Sequence, residues 1–128
     1  MSRRSLGDET TWTIMGRRVL VVDDDVLVLE VVASMLEELG YETALVRSGT
    51  DALGTIAKDQ TIDVLIADMD MPGLNGSILA TYARNFRPEL PVILITGGAG
   101  NGRGFPLLRK PFAQSDLHRV MAETTGLN

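Results

Sequence analysis

The sequence predicts an α/β fold with a parallel sheet and helices packed on it. Three runs, Val19 to Val22, Val64 to Ala67 and Val92 to Ile95, are continuously apolar and rich in β-branched residues, as strands buried on both faces must be. Between them lie stretches whose apolar residues recur at three- or four-residue spacing, the period of a helix with one buried stripe. Strands alternating with helices imply right-handed crossovers and parallel pairing.

The elements follow in order. Residues 1–16 read as a polar, loosely ordered leader, with one domain over 17–128; Met15-Gly16 could serve as an alternative start. The first strand runs to Val22 and stops at Asp23-Asp24-Asp25, where Asp25 is placed to cap the next helix. That helix carries Val28, Val32, Met35 or Leu36, and Leu39, with Gly40 at its end. Tyr41 to Val46 alternates, as a strand near an edge does. Ser48 caps a short helix with Ala52, Leu53 and Ile56. The third strand ends at Asp68, and Pro72-Gly73 and Asn75-Gly76 mark the turn after it. Ile78, Leu79, Tyr82 and Phe86 fall on a third helix that Pro88 ends. Pro91 opens the fourth strand, which ends at Thr96. Leu107-Leu108 is a short fifth strand before Lys110-Pro111, and Ser115 is read as the cap of a last helix with Leu117, Val120 and Met121 inward.

One link breaks the pattern. Gly97, Gly98, Gly100, Gly102 and Gly104 fall between Thr96 and Pro106. Each glycine costs a helix about 1 kcal/mol relative to alanine, so a flexible loop or a single marginal turn is expected where the alternation calls for a fourth helix.

Composition narrows the chemistry. The chain has no cysteine, which excludes disulfides, thiolate metal sites and cysteine nucleophiles and is in keeping with a cytoplasmic location. Its one histidine, His118, leaves little for a histidine-rich metal site or a His-based triad. A formal charge of −5, with no Lys/Arg run beyond two residues, offers no phosphate-facing surface for nucleic acid. No apolar stretch approaches the length of a membrane span, and the N-terminal arginines have no apolar run behind them to make a signal peptide.

Carboxylates remain. In open α/β sheets the site lies beyond the carboxyl ends of the strands, so Asp23 and Asp24, Asp68, Thr96 and Lys110 should converge there. Asp23, Asp24 and Asp68 offer the oxygens that Mg²⁺ prefers. Asp68 can act as a nucleophile and form an acyl phosphate. Phosphoryl transfer asks chiefly for positioning and charge neutralisation, and the Lys110 ammonium and Thr96 hydroxyl suit both. Read alone, Thr96 is a strand-end hydroxyl and Lys110 a surface lysine. It is their place at successive strand ends that points to one pocket.

The set Val21-Val22-Asp23-Asp24-Asp25, then Ala67-Asp68-Met69-Asp70-Met71-Pro72-Gly73-Leu74-Asn75-Gly76, then Ile95-Thr96-Gly97, then Arg109-Lys110-Pro111-Phe112 resembles the receiver domain of two-component response regulators. The resemblance runs from about Arg18 to the end. It implies a flavodoxin-like (βα)5 doubly wound sheet of strand order 2-1-3-4-5. It also implies phosphorylation of Asp68 by a sensor histidine kinase or a histidine phosphotransfer protein, with output by protein contacts or phosphorelay. Mg²⁺, or Mn²⁺ in its place, would be bound by Asp24 and Asp68 directly, by Asp23 mainly through water, and by the backbone carbonyl of Asp70. The only reactions implied are the domain's own phosphorylation and dephosphorylation, and a cis bond is implied before Pro111.

Three departures stand out. The aromatic switch residue common in the family, three positions before the lysine, is Leu107 here. The glycine-rich span stands where the fourth helix is expected, and Pro91 through Gly98 resembles the variant that pairs with HWE-type histidine kinases. Asp70 adds a carboxylate where many relatives are neutral. Other readings are weaker. Asp68-Met69-Asp70 also fits the nucleophile motif of haloacid-dehalogenase-type phosphatases, but those place their acidic metal pair after the lysine, where only Asp116 stands. A degenerate, phosphorylation-independent receiver would not keep all five site residues. A flavin-binding relative would need a phosphate-cradling loop where Asp23-Asp24-Asp25 would repel phosphate.

Overall fold

A computed structural model describes residues 17–98 and 102–126. The leader expected over 1–16 lies outside the described residues. Five parallel strands, β1 (Arg18–Val22), β2 (Glu42–Val46), β3 (Val64–Asp68), β4 (Val92–Thr96) and β5 (Leu107–Arg109), form one sheet in the order β2-β1-β3-β4-β5. Four helices connect or follow them: α1 (Val26–Glu38), α2 (Gly49–Lys58), α3 (Gly76–Phe86) and α4 (Gln114–Thr125).

The uninterrupted apolar runs divide by strand alternation into two cores. Val19, Val21, Val64, Ile66, Ile93 and Ile95 point to one face and pack with Leu29, Val32 and Leu36 of α1 and Leu117, Val120 and Met121 of α4. Leu20, Val22, Leu65, Ala67, Val92 and Leu94 point to the other, against Ala52 and Ile56 of α2 and Leu79, Ala80 and Ala83 of α3. This is why the central strands show no polar alternation. The edge strand β2 is less covered but does not alternate as expected: Glu42 and Leu45, on opposite faces, are exposed, and Thr43, Ala44 and Val46 half-buried.

The register brings the strand ends level. Val22 pairs with Ala67 and with Val46, Asp68 with Ile95, and Thr96 with Arg109. The residues that follow β1 and those that end β3, β4 and β5 therefore share one edge of the sheet.

Most helix ends match their sequence signals. Asp25 caps α1 by accepting the Leu27 N–H at 2.9 Å, Ser48 caps α2 through the Asp51 N–H at 3.1 Å, and Gly40 follows α1 with φ +99°. Ser115 is not a cap. α4 starts after Ala113, whose N–H donates to the Asp116 carboxylate at 2.8 Å, so the side chain that holds this helix start reaches back from inside the first turn. On α3 the inward stripe is Leu79, Ala80 and Ala83, while Ile78, Tyr82 and Phe86 are exposed.

Between β4 and β5 the described residues contain no helix. Gly102 to Phe105 instead form a tight turn closed by the Phe105 N–H on the Gly102 carbonyl at 3.0 Å, with Arg103 and Gly104 both at positive φ. Phe105 and Leu107 pack from this segment onto the α2/α3 core. The Arg84 guanidinium lies 5.3 Å from the Phe105 ring centre. No described helix is long and apolar enough to cross a membrane.

Candidate functional site

The sheet edge gathers the expected residues. Asp23 and Asp68 are buried, Asp24 is exposed, and carboxylate oxygens of the three lie within 4.8 Å of one another. The Lys110 Nζ stands 4.0 Å from Asp23 Oδ2 and 4.0 Å from Asp68 Oδ2. Thr96 is buried at the end of β4, and its carbonyl accepts the Lys110 N–H at 2.8 Å, which ties the lysine backbone to that strand end. The Lys110-Pro111 bond is cis, as expected.

Backbone donors hold the carboxylates in place. Asp23 Oδ1 accepts the Asp25 N–H at 2.9 Å, and Asp68 Oδ1 accepts the Asp70 N–H at 3.1 Å. Each aspartate thereby turns one oxygen onto its own loop and leaves Oδ2 facing Lys110. Asp70 is itself exposed, so its carboxylate lies toward solvent and its backbone borders Asp68. The Asp23 Oδ2 is buried with no hydrogen-bond partner among the described residues. A buried acceptor of that kind is costly unless something fills its need. Burial is also the main reason the Asp23 carboxyl is pushed up to about 6. The Asp68 and Asp24 charges raise it further, and the Asp25 N–H and Lys110 oppose the rise.

Four relationships had no clear signal in the sequence. Gly76, readable only as part of an Asn-Gly turn, sits where a Cβ would meet the Asp68 carbonyl oxygen at 2.5 Å. Thr96 Oγ1 accepts the Gly98 N–H at 3.0 Å, and Arg109 donates from Nη1 to the Gly98 carbonyl at 2.6 Å. The division of the aspartate run into a buried Asp23 and exposed Asp24 and Asp25 depends on where β1 ends in space. Asp116 does not join the site: it caps α4 and lies 3.8 Å from Arg119. The acidic partner that a dehalogenase-type phosphatase would need after the lysine is therefore engaged elsewhere.

Chemically, the cluster has the oxygen donors and acidity of a hard-cation site, beside a buried carboxylate able to act as a nucleophile and a cation able to neutralise charge. Comparison with known proteins agrees. Residues 19–122 match the family model for the response regulator receiver domain. The chain is 36% identical over 111 residues to the response regulator MprA of Mycobacterium bovis, covering 80% of this chain and 48% of that protein. It is 31% identical over 114 residues to the transcription factor SKN7 of Saccharomyces cerevisiae, covering 83% of this chain and 18% of that protein. It thus spans less than half the length of these relatives. Among solved structures, a response regulator receiver domain protein from Clostridium thermocellum superposes with a TM-score of 0.80 at 28% identity, covering 86% of this chain and 94% of that one. The receiver domain of the sensor histidine kinase PA1611 from Pseudomonas aeruginosa, described with a magnesium ion coordinated in its active site cleft, superposes with a TM-score of 0.79 at 28% identity. It covers 87% of this chain and 98% of that one. Fold, strand-end cluster and family match coincide over the same stretch, and the chain belongs to the response regulator receiver domain family.

Proposed function

We propose that Asp68 accepts a phosphoryl group from a phosphohistidine of a sensor histidine kinase or a histidine phosphotransfer protein, and that the phosphorylated domain signals by protein contacts or passes the group on. The observation that carries this reading is the Lys110 ammonium held 4.0 Å from both Asp23 and Asp68 at the edge of a three-carboxylate cluster.

Asp68 is the nucleophile in this reading because it ends β3, is buried, and has one oxygen fixed by the Asp70 N–H. A carboxylate oxygen attacks phosphorus, the P–N bond to the imidazole breaks with its electron pair going to nitrogen, and an acyl phosphate forms. Lys110 neutralises charge on the incoming phosphoryl oxygens, and the Thr96 hydroxyl donates a hydrogen bond to one of them. Return of the domain to its resting state is hydrolysis of this acyl phosphate, so the chain acts on its own side chain rather than on a separate substrate.

The donor set fits a divalent cation, because the buried Asp23 Oδ2 accepts no hydrogen bond from the described residues and has only the Lys110 ammonium, at 4.0 Å, near it. Asp24 and Asp68 would hold Mg²⁺ directly, Asp23 mainly through water, and the Asp70 carbonyl would complete the protein ligands; Mn²⁺ is a workable substitute. Bound there, the ion supplies charge stabilisation for the phosphoryl oxygens.

Acetyl phosphate with Mg²⁺ tests the assignment. Wild type should incorporate phosphate in an alkali-labile form and Asp68→Asn should not. Equal incorporation by the two proteins would refute Asp68 as the acceptor.

A further inference from the structure

We propose that Arg109 is a positioning residue for phosphoryl capture: its hydrogen bond to the Gly98 carbonyl holds the Gly98 N–H on Thr96 Oγ1 and so fixes the hydroxyl that meets the phosphoryl group. The inference rests on the phosphoacceptor reading of Asp68 and extends it to a residue outside the pocket.

The register makes the contact possible. Arg109 is the direct β-sheet partner of Thr96, so its backbone is level with the end of β4. From there its guanidinium reaches two residues further along, to the Gly98 carbonyl at 2.6 Å. The same peptide segment turns its Gly98 N–H back onto Thr96 Oγ1 at 3.0 Å. Gly98 is thus held at both of its polar groups, by the side chains of the two paired strand ends.

The consequence lies in the hydroxyl. A threonine Oγ1 has one donor and two acceptor positions. With one acceptor position taken by the Gly98 N–H, the hydroxyl proton must point elsewhere, which leaves it available to an oxygen arriving in the pocket. Gly97-Gly98 is the part of the chain least able to hold that geometry unaided, because glycine loses the most backbone freedom on ordering. A charge-assisted hydrogen bond from arginine is a strong, directional way to hold it.

Glycine is not sterically required at position 98. Among the described residues a Cβ there would meet only Thr96 Oγ1, at 3.8 Å, and the residue is not at positive φ. Gly98→Ala therefore stiffens the segment without blocking the contact, which provides a rescue that a general loss of stability would not allow.

The experiment is a calorimetric titration with beryllofluoride, a tetrahedral stand-in for the phosphoryl group, in excess Mg²⁺. Arg109→Met should bind about three- to tenfold more weakly than wild type, the range expected for one lost hydrogen bond. Arg109→Lys should fall between the two. Adding Gly98→Ala to Arg109→Met should recover most of the loss, and in a Thr96→Ala background Arg109→Met should have no further effect. Wild-type affinity in Arg109→Met, an undiminished effect in the Thr96→Ala background, or no recovery with Gly98→Ala would each overturn the proposal. A wild type that binds no beryllofluoride would overturn the phosphoacceptor reading itself, and this inference with it.

Discussion

Gly76 lies against the backbone of Asp68 so closely that a methyl group on Gly76 would stand 2.5 Å from the Asp68 carbonyl oxygen and 2.9 Å from its carbonyl carbon. The amino end of α3 is thereby seated on the strand end that presents the candidate phosphoacceptor. Backbone cannot swing away as a flexible side chain would, so the clash must move either the helix or Asp68.

Gly76→Ala should therefore cost about 1–3 kcal/mol of stability, the usual range for overpacking a tight site, and should slow phosphate uptake from acetyl phosphate. Gly54 is the internal control. It lies exposed in α2 with none of the described residues within 4 Å of an added Cβ, so Gly54→Ala should stabilise by about 0.5–1 kcal/mol through helix propensity. Urea unfolding of both variants checks the pair. Similar effects of the two substitutions would show that the α3 seat is not the constraint.

Asp23 should make the metal-free protein sensitive to pH. Its carboxyl is raised from 3.8 to about 6 on folding, so folding favours its protonated form. The stabilisation from that proton is complete below about 3.8 and is lost as pH rises through about 6. In EDTA, Asp23→Asn should be more stable than wild type by roughly 1–3 kcal/mol at pH 8, with the difference closing toward pH 4. The substitution keeps an Oδ1 acceptor for the Asp25 N–H. Millimolar Mg²⁺ at pH 8 should stabilise wild type and narrow that gap, since a ligand that binds only the folded state raises its stability. Unfolding midpoints with and without Mg²⁺ across this range check both signs. A gap that is the same at pH 4 and pH 8 would remove Asp23 as its source.

How far the residues alone carried the fold depends on what kind of signal each feature leaves. The central strands were legible because burial on both faces forces a continuous apolar run, and Asp23, Asp24, Asp68, Thr96 and Lys110 were legible because each interrupts or follows such a run. Helix faces were less so. Tyr82 and Phe86 are large and apolar and fall on α3, yet the helix packs through the small Ala80 and Ala83 beside Leu79. Close approach of α3 to the sheet favours small side chains, and hydrophobicity alone does not report that. The cap of α4 was hidden for a different reason: Asp116 accepts a bond from three residues upstream, so Ser115 looked better placed. Contacts between distant backbone groups, such as Gly76 on Asp68, leave only a glycine in the sequence, which a turn explains equally well.

Phe105 takes on part of the packing that a helix between β4 and β5 would provide. It is half-buried against the α2/α3 core, beside Leu107 and under the Arg84 guanidinium. Phe105→Ala should cost about 1–3 kcal/mol, less than a fully buried aromatic because part of the ring is already in water. Phe105→Leu should recover the burial but not the cation–π part, about 0.5–1 kcal/mol. Thermal and urea unfolding measure both, and an Arg84→Ala/Phe105→Ala double-mutant cycle isolates the pairwise contribution. Strictly additive losses would mean that Arg84 and Phe105 act independently.

The glycines of the same segment should not behave alike, although in the sequence they form one uniform run. Gly104 has φ +94°, and a Cβ on Gly102 would meet the Phe105 carbonyl oxygen at 2.5 Å, so the turn that presents Phe105 needs glycine at both places. Among the described residues nothing lies within 4 Å of a Cβ added at Gly97, which has no positive φ. Alanine at 104 forces a side chain into the left-handed region, at a cost of about 1–2 kcal/mol, and alanine at 102 should cost at least as much by pushing against backbone. Alanine at 97 should be neutral or stabilising by up to about 1 kcal/mol, because it removes freedom only from the unfolded chain. If Phe105 is positioned by this turn, Gly104→Ala and Phe105→Ala should be less than additive, since the first already loosens what the second removes. Urea unfolding of the three single variants and that double variant is the measurement. Equal costs at positions 97, 102 and 104 would mean that the segment is a plain flexible linker and that the turn does not hold Phe105 in place.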